Sequence, residues 1–241
     1  MISAIGSAAW PLLPLRIFRS PTVSGANVAM AIVGAVAFSE FFLLTLYLQD
    51  VLRYSAVQSG IAFVGFAGTV VVVSNLAQLV VGRVGVRATL TAGLLVSALS
   101  VGWLTRLPVE GHYFWDLFPG FVLGGAGMGL SFVPVTIASL SGVDRADAGI
   151  ASGLVNTSRQ IGGAIGIAGA SAIAATSTSH FTGAALNSAA ALDHGFQTAL
   201  YALVGLLVVG ALVAITLVRP KAAAPLAELP RADTGLVEEA A

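Results

Sequence analysis

Six long apolar runs occupy most of this chain: Gly25–Leu48, Ser59–Val81, Ala88–Leu104, Asp116–Leu140, Ala148–Ala175 and Phe196–Val218. A helix crossing a hydrocarbon core of about 30 Å needs about 20 residues, and each of the six runs is long enough. In lipid every backbone N–H and C=O must find its partner inside the protein, so runs of this length form helices. The expected fold is an all-α integral membrane domain with six transmembrane helices in the bilayer.

Composition narrows the functions open to such a chain. Charged residues make up 9% of it, against about 25% in soluble domains, and mean hydropathy is +0.93. A net charge of zero gives no pull toward nucleic acid, so none is expected as a partner. There is no cysteine, which excludes disulfides, thiolate metal sites and thiol catalysis. His112, His180 and His194 lie outside the six runs, so neither a metal nor another cofactor is expected. No Walker A lysine motif occurs, and no acid or histidine is spaced to activate Ser152. The chain therefore does not read as an enzyme.

Three segments follow. Residues 1–22 form a cytoplasmic amino-terminal segment, with a loop from Pro11 to Pro21. Residues 23–218 form the six-helix domain, and residues 219–241 a disordered, Ala/Pro/Glu-rich cytoplasmic tail. No secretory signal is visible, so the first span serves as its own insertion signal. Arg16, Arg19, Arg83, Arg87, Arg145, Arg219, Lys221 and Arg231 fall on one side of the alternating spans, and Arg53 and Arg106 on the other. The basic side faces the cytoplasm, which gives a multi-pass protein of the cell inner (plasma) membrane with both termini inside. Six spans with both ends on one side fit two inverted three-helix repeats.

Polar residues inside the spans are the candidate site. On the fifth span Gly149, Ser152, Asn156, Arg159, Gly163, Gly166 and Ala170 recur at steps of three and four, which places them on one face. Two roles fit: a close-packed seam, aided by the Gly162–Gly166 step, or a polar path lined by Asn156, Arg159 and Gln160. Arg159 is costly in lipid unless it snorkels from about 16 Å along the helix. Gly120, Gly124, Gly125, Gly127, Gly129 and Pro134 mark the fourth span as close-packed and bent, or as a flexing gate. Glu40 is the one acid well inside an expected span and a candidate for reversible protonation; the alternatives are reaching the outer interface or pairing with Arg53. On the second span Asn75 and Gln78 can bond between helices or line a cavity, beside Ser74.

The run Asp147–Gly166, with Asn156-Thr-Ser-Arg-Gln160 and Gly162-Gly-Ala-Ile-Gly166, resembles the second half of major facilitator superfamily transporters, in the fourteen-helix drug:proton antiporter branch. Pro11-Leu-Leu-Pro-Leu-Arg-Ile-Phe-Arg19, Phe42–Gln49 with Tyr54–Gly60, and Gly82–Arg87 resemble other parts of that half. Of the family's basic turn only Arg83, Gly85 and Arg87 carry over; Gly82 stands in place of the acid and Ala88 in place of the second basic residue. Glu40 occupies a position that is small or apolar in such helices. The resemblance implies half of a major facilitator fold and a proton-coupled multidrug efflux antiporter. It implies a small amphipathic or cationic substrate, protons, and an amino-terminal half or a second copy as partner. The alternative is a truncated or split-gene subunit without transport activity alone.

Overall fold

The computed structural model describes residues 15–181 and 189–219, so the tail expected over 220–241 and the first 14 residues lie outside the described residues. Among the described residues seven α-helices make six membrane-length elements: α1 (Pro21–Leu46), α2 (Ala56–Ala62), α3 (Val64–Val84), α4 (Val86–Leu104), α5 (Phe118–Leu140), α6 (Ala148–Ser179) and α7 (Ala189–Leu217). Wider π turns, Tyr47–Val51 and Tyr113–Leu117, extend α1 and α5. The described residues contain no strand.

Local chemistry moves several boundaries from those expected. Pro21 starts α1 instead of closing a loop, because Ser20 accepts the Val23 N–H and a first-turn proline gives up no helical bond. A 3-10 turn, Leu15–Arg19, precedes it. The second span is two helices. Ser55 and Gln58 form a reciprocal capping box that starts α2, and the chain turns at Phe63. The Ala62 carbonyl left there accepts the Tyr113 hydroxyl at 2.8 Å. The basic turn narrows to one residue: α3 runs through Val84, α4 begins at Val86, and Gly85 joins them at φ +86°, where glycine is favoured. α7 begins at Ala189, before the expected start at Phe196, which brings Asp193 and His194 into a helix.

Three helices come before the middle of the bundle (α1, the α2–α3 pair, α4) and three after it (α5, α6, α7). The packing repeats between the two triples. α1 lies parallel to α6, with Asn27 facing Ser158, Ala31 facing Gly162 and Ala35 facing Gly166. The corresponding pair is α5 with α3, where Gly125 meets Phe66 and Gly129 meets Val73 and Ser74, again in parallel steps of four. α4 runs antiparallel to α5 and α7 antiparallel to α1, through Ser100 Oγ donating to the Gly120 carbonyl at 2.8 Å and through Gly25 against Leu217. This is half of a major facilitator fold, two inverted three-helix repeats.

Burial is uneven. α1 is buried along most of its length, whereas α3 buries only Phe66 and Ala77. Phe41, Phe63, Phe66 and Phe121 stack at 4.8, 5.0 and 5.1 Å between centroids, joining α1, the α2–α3 break and α5. At the other end from the basic turn Trp115 is exposed, as an amphipathic aromatic at a membrane interface is.

Candidate functional site

Glu40 and Phe38 are two residues apart on α1, about 200° round the helix. They therefore serve opposite sides. Glu40 turns into the bundle. It is 7% exposed, and Oε1 has no hydrogen-bond partner among the described residues. It lines a cavity of about 20 Å³, room for about one water, with Val36, Phe66, Ser97, Met128, Ser131 and Leu207 among the walls. Neither alternative role expected for this acid is seen. It does not reach the interface, and Arg53 is exposed. A buried polar group without a partner is costly, so its retention needs a reason.

Phe38 faces α6. Its ring lies over Gly163, where a Cβ would overlap it. That leaves the ring free to meet Arg159, whose guanidinium carbon sits 5.6 Å from the Phe38 centroid and 6.0 Å from that of Phe132 on α5. Arg159 also donates to Asn156 Oδ1 at 3.0 Å. The guanidinium is thus held at the junction of α1, α5 and α6 by two aromatic faces, a favourable arrangement for a poorly hydrated cation. Asn156 and Gln160 are exposed beside it.

The expected stripe on this helix divides. Gly163 and Ala170 are buried and Gly166 packs on Ala35, but Gly149, Ser152 and Asn156 are exposed. The contact line follows Ser158, Gly162, Gly166, Ala170 and Ala174. These are steps of four, the row used when i±4 ridges interdigitate. A stripe averaging 3.5 residues drifts away from such a row. On α3, Asn75 and Gln78 are both exposed, and Asn75 Nδ2 donates to the Val71 carbonyl of its own helix at 2.7 Å. Arg83 is exposed and Arg87 half-buried on either side of Gly85. The structure joins Asn156 to Arg159 but does not bring Glu40 to that pair.

Asp193 is an acid that sequence reasoning missed. It is buried in α7, accepts from Gln197 Nε2 at 2.8 Å, and the same nitrogen donates to the Leu107 carbonyl at 3.1 Å. Nearby, Tyr47 donates to the Pro108 carbonyl at 2.6 Å. These bonds tie the far end of the bundle to the loop after α4. The i, i+4 spacing of Asp193 and Gln197 was the available signal, hidden because the hydropathy dips there.

The family model of the Major Facilitator Superfamily matches residues 5–167. A cephamycin export protein of Amycolatopsis lactamdurans is 40% identical over 162 residues, 67% of this chain and 33% of its own length. A puromycin resistance protein of Streptomyces alboniger is 30% identical over 215 residues, 86% of this chain and 43% of its own length. A tetracenomycin C resistance and export protein of Streptomyces glaucescens is 32% identical over 159 residues, 66% of this chain and 29% of its own length. The chain spans between 29% and 43% of the length of these relatives.

Proposed function

Because the chain belongs to the Major Facilitator Superfamily, we propose that it is a six-helix unit of a proton-coupled exporter of small amphipathic molecules. The observation that carries this reading is the set of relatives above, which bear the names of antibiotic export and resistance proteins. The unit is multi-pass in the cell inner membrane, with both termini cytoplasmic, as the placement of arginine and lysine favours. It works against a second six-helix unit, either an amino-terminal half or another copy of this chain, by rocking about a central site. The exposed faces of α3 and α6, with Asn75, Gln78, Asn156 and Gln160, form the side turned toward that partner. Catalysis of a chemical reaction is not part of this role.

Glu40 supports the proton-coupled part. A buried carboxyl group beside a cavity with room for about one water, with an oxygen lacking a partner among the described residues, can bind and release a proton as the cavity opens and closes. The cavity is walled by α1, α3, α4, α5 and α7, so a shift of any of these helices changes its access to water.

The test uses the native locus. Deletion should lower the inhibitory concentration of puromycin, tetracenomycin C or a cephamycin, and efflux of the affected drug should stop when a protonophore is added. Unchanged susceptibility to all three drugs would reject export of this class, and efflux indifferent to the protonophore would reject proton coupling.

A further inference from the structure

We infer that Arg159 recognises a carboxylate on the transported molecule. The inference rests on the exporter reading and refines it by naming the charge of the substrate. The guanidinium offers five N–H donors, and its one hydrogen bond among the described residues goes to Asn156 Oδ1. A cation in lipid is ordinarily paired with an acid or with backbone carbonyls, and no described acid forms an ion pair with this one. Glu40, the nearest acid along α1, turns away from Phe38 to the opposite side of that helix and lines the internal cavity. No counter-charge for it lies among the described residues.

The surroundings say what form it takes. Phe38 and Phe132 hold the guanidinium carbon at 5.6 and 6.0 Å from their centroids. They fix it in place without consuming its donors. Arg159 is half-buried, with Asn156 and Gln160 exposed beside it. A carboxylate can accept two parallel N–H bonds from such a fork, and the rings present apolar faces for a flat body attached to it. The side chain packs on the two rings. The resemblance implied cationic substrates as one option; a lone guanidinium at this place selects the opposite charge.

Rhodamine 110, which bears a free carboxylate, and rhodamine 123, its methyl ester, form a matched pair of probes. Binding of each to the detergent-solubilised native protein, read by fluorescence anisotropy, needs neither transport nor a proton gradient. Arg159→Gln should weaken rhodamine 110 about tenfold or more, the loss of a charge-assisted bidentate contact, and leave rhodamine 123 nearly unchanged. Arg159→Lys keeps the charge without the fork and should fall between; it also serves if the Gln variant fails to insert. Wild-type protein that binds rhodamine 110 no better than rhodamine 123 contradicts the inference, as does equal weakening of both dyes by either variant. Wild-type protein that binds rhodamine 110 selectively but exports neither dye would sustain the carboxylate site while counting against the exporter reading.

Discussion

The α1–α6 and α3–α5 contacts occupy equivalent places in the two inverted repeats, but they are not equally tight. Between α1 and α6 backbone meets backbone from both sides. A Cβ at Gly34 would strike the Arg159 carbonyl, and one at Gly162 would strike the Ala31 carbonyl. Between α3 and α5 the glycines that meet backbone are those of α5, and Gly65 on α3 meets only side chains, the Phe118 ring first. Gly125 is close to the Phe66 carbonyl, but at Gly129 the nearest atoms would stand 3.0–3.2 Å from a Cβ. The tight pair also carries the polar groups, Asn27 with Ser158 and Arg159 with Asn156. The loose pair leaves most of α3 exposed. Topology alone therefore does not decide which helix is fixed. The tight contact holds Arg159 steady, whereas α3 has room to shift beside the Glu40 cavity, of which Phe66 is one wall.

Gly162→Ala against Gly129→Ala is the sharpest way to break this comparison. We predict that the first costs about 3 kcal/mol, the upper end for overpacking. The second should be close to neutral, because a mild contact is offset by the roughly 1 kcal/mol helix preference of alanine over glycine. Thermal aggregation midpoints in detergent measure both, and equal losses would erase the difference between the pairs. A smaller effect probes the loose side. Tyr113→Phe strands the Ala62 carbonyl at the α2–α3 break and should cost about 1–2 kcal/mol; no change in midpoint would mean the break does not depend on that bond. Smallest is Asn27→Ala, which removes the bond to Ser158 (3.0 Å) and should cost about 0.6 kcal/mol, the mean for interhelical bonds in membranes. Thr69→Val on α3 is its counterpart. That hydroxyl bonds only within its own helix, so the midpoint should hold, and a loss as large as that of Asn27→Ala would again level the two sides.

Six membrane spans were legible because lipid allows little else for long apolar runs. What the sequence hid follows from what periodicity omits. The break at Phe63 lies inside an unbroken apolar stretch, and the Ala62 carbonyl it leaves is bonded by Tyr113, 51 residues from Ala62. Asp193 sits where polarity lowers hydropathy, although the helix continues through it. On α6, Gly162 and Gly166 were visible as a close-contact step, but the side that Ser152 and Asn156 occupy was not. A 3.5-residue stripe and a four-residue row coincide only near Gly166 and Ala170. Glu40 stood out as a charge in a span; that it faces the bundle interior and not Arg53 depended on the positions of four other elements.

On the proposed function, the buried carboxyl of Glu40 exchanges a proton in each transport cycle. Everted membrane vesicles from cells carrying Glu40→Gln at the native locus test it directly. A substrate identified by the susceptibility measurements is added after the lumen has been acidified, and lumenal pH is followed with acridine orange. Wild-type vesicles should lose protons from the lumen when substrate is added, and Glu40→Gln vesicles with equal amounts of inserted protein should not. Proton loss from the mutant vesicles at the wild-type rate would contradict the account.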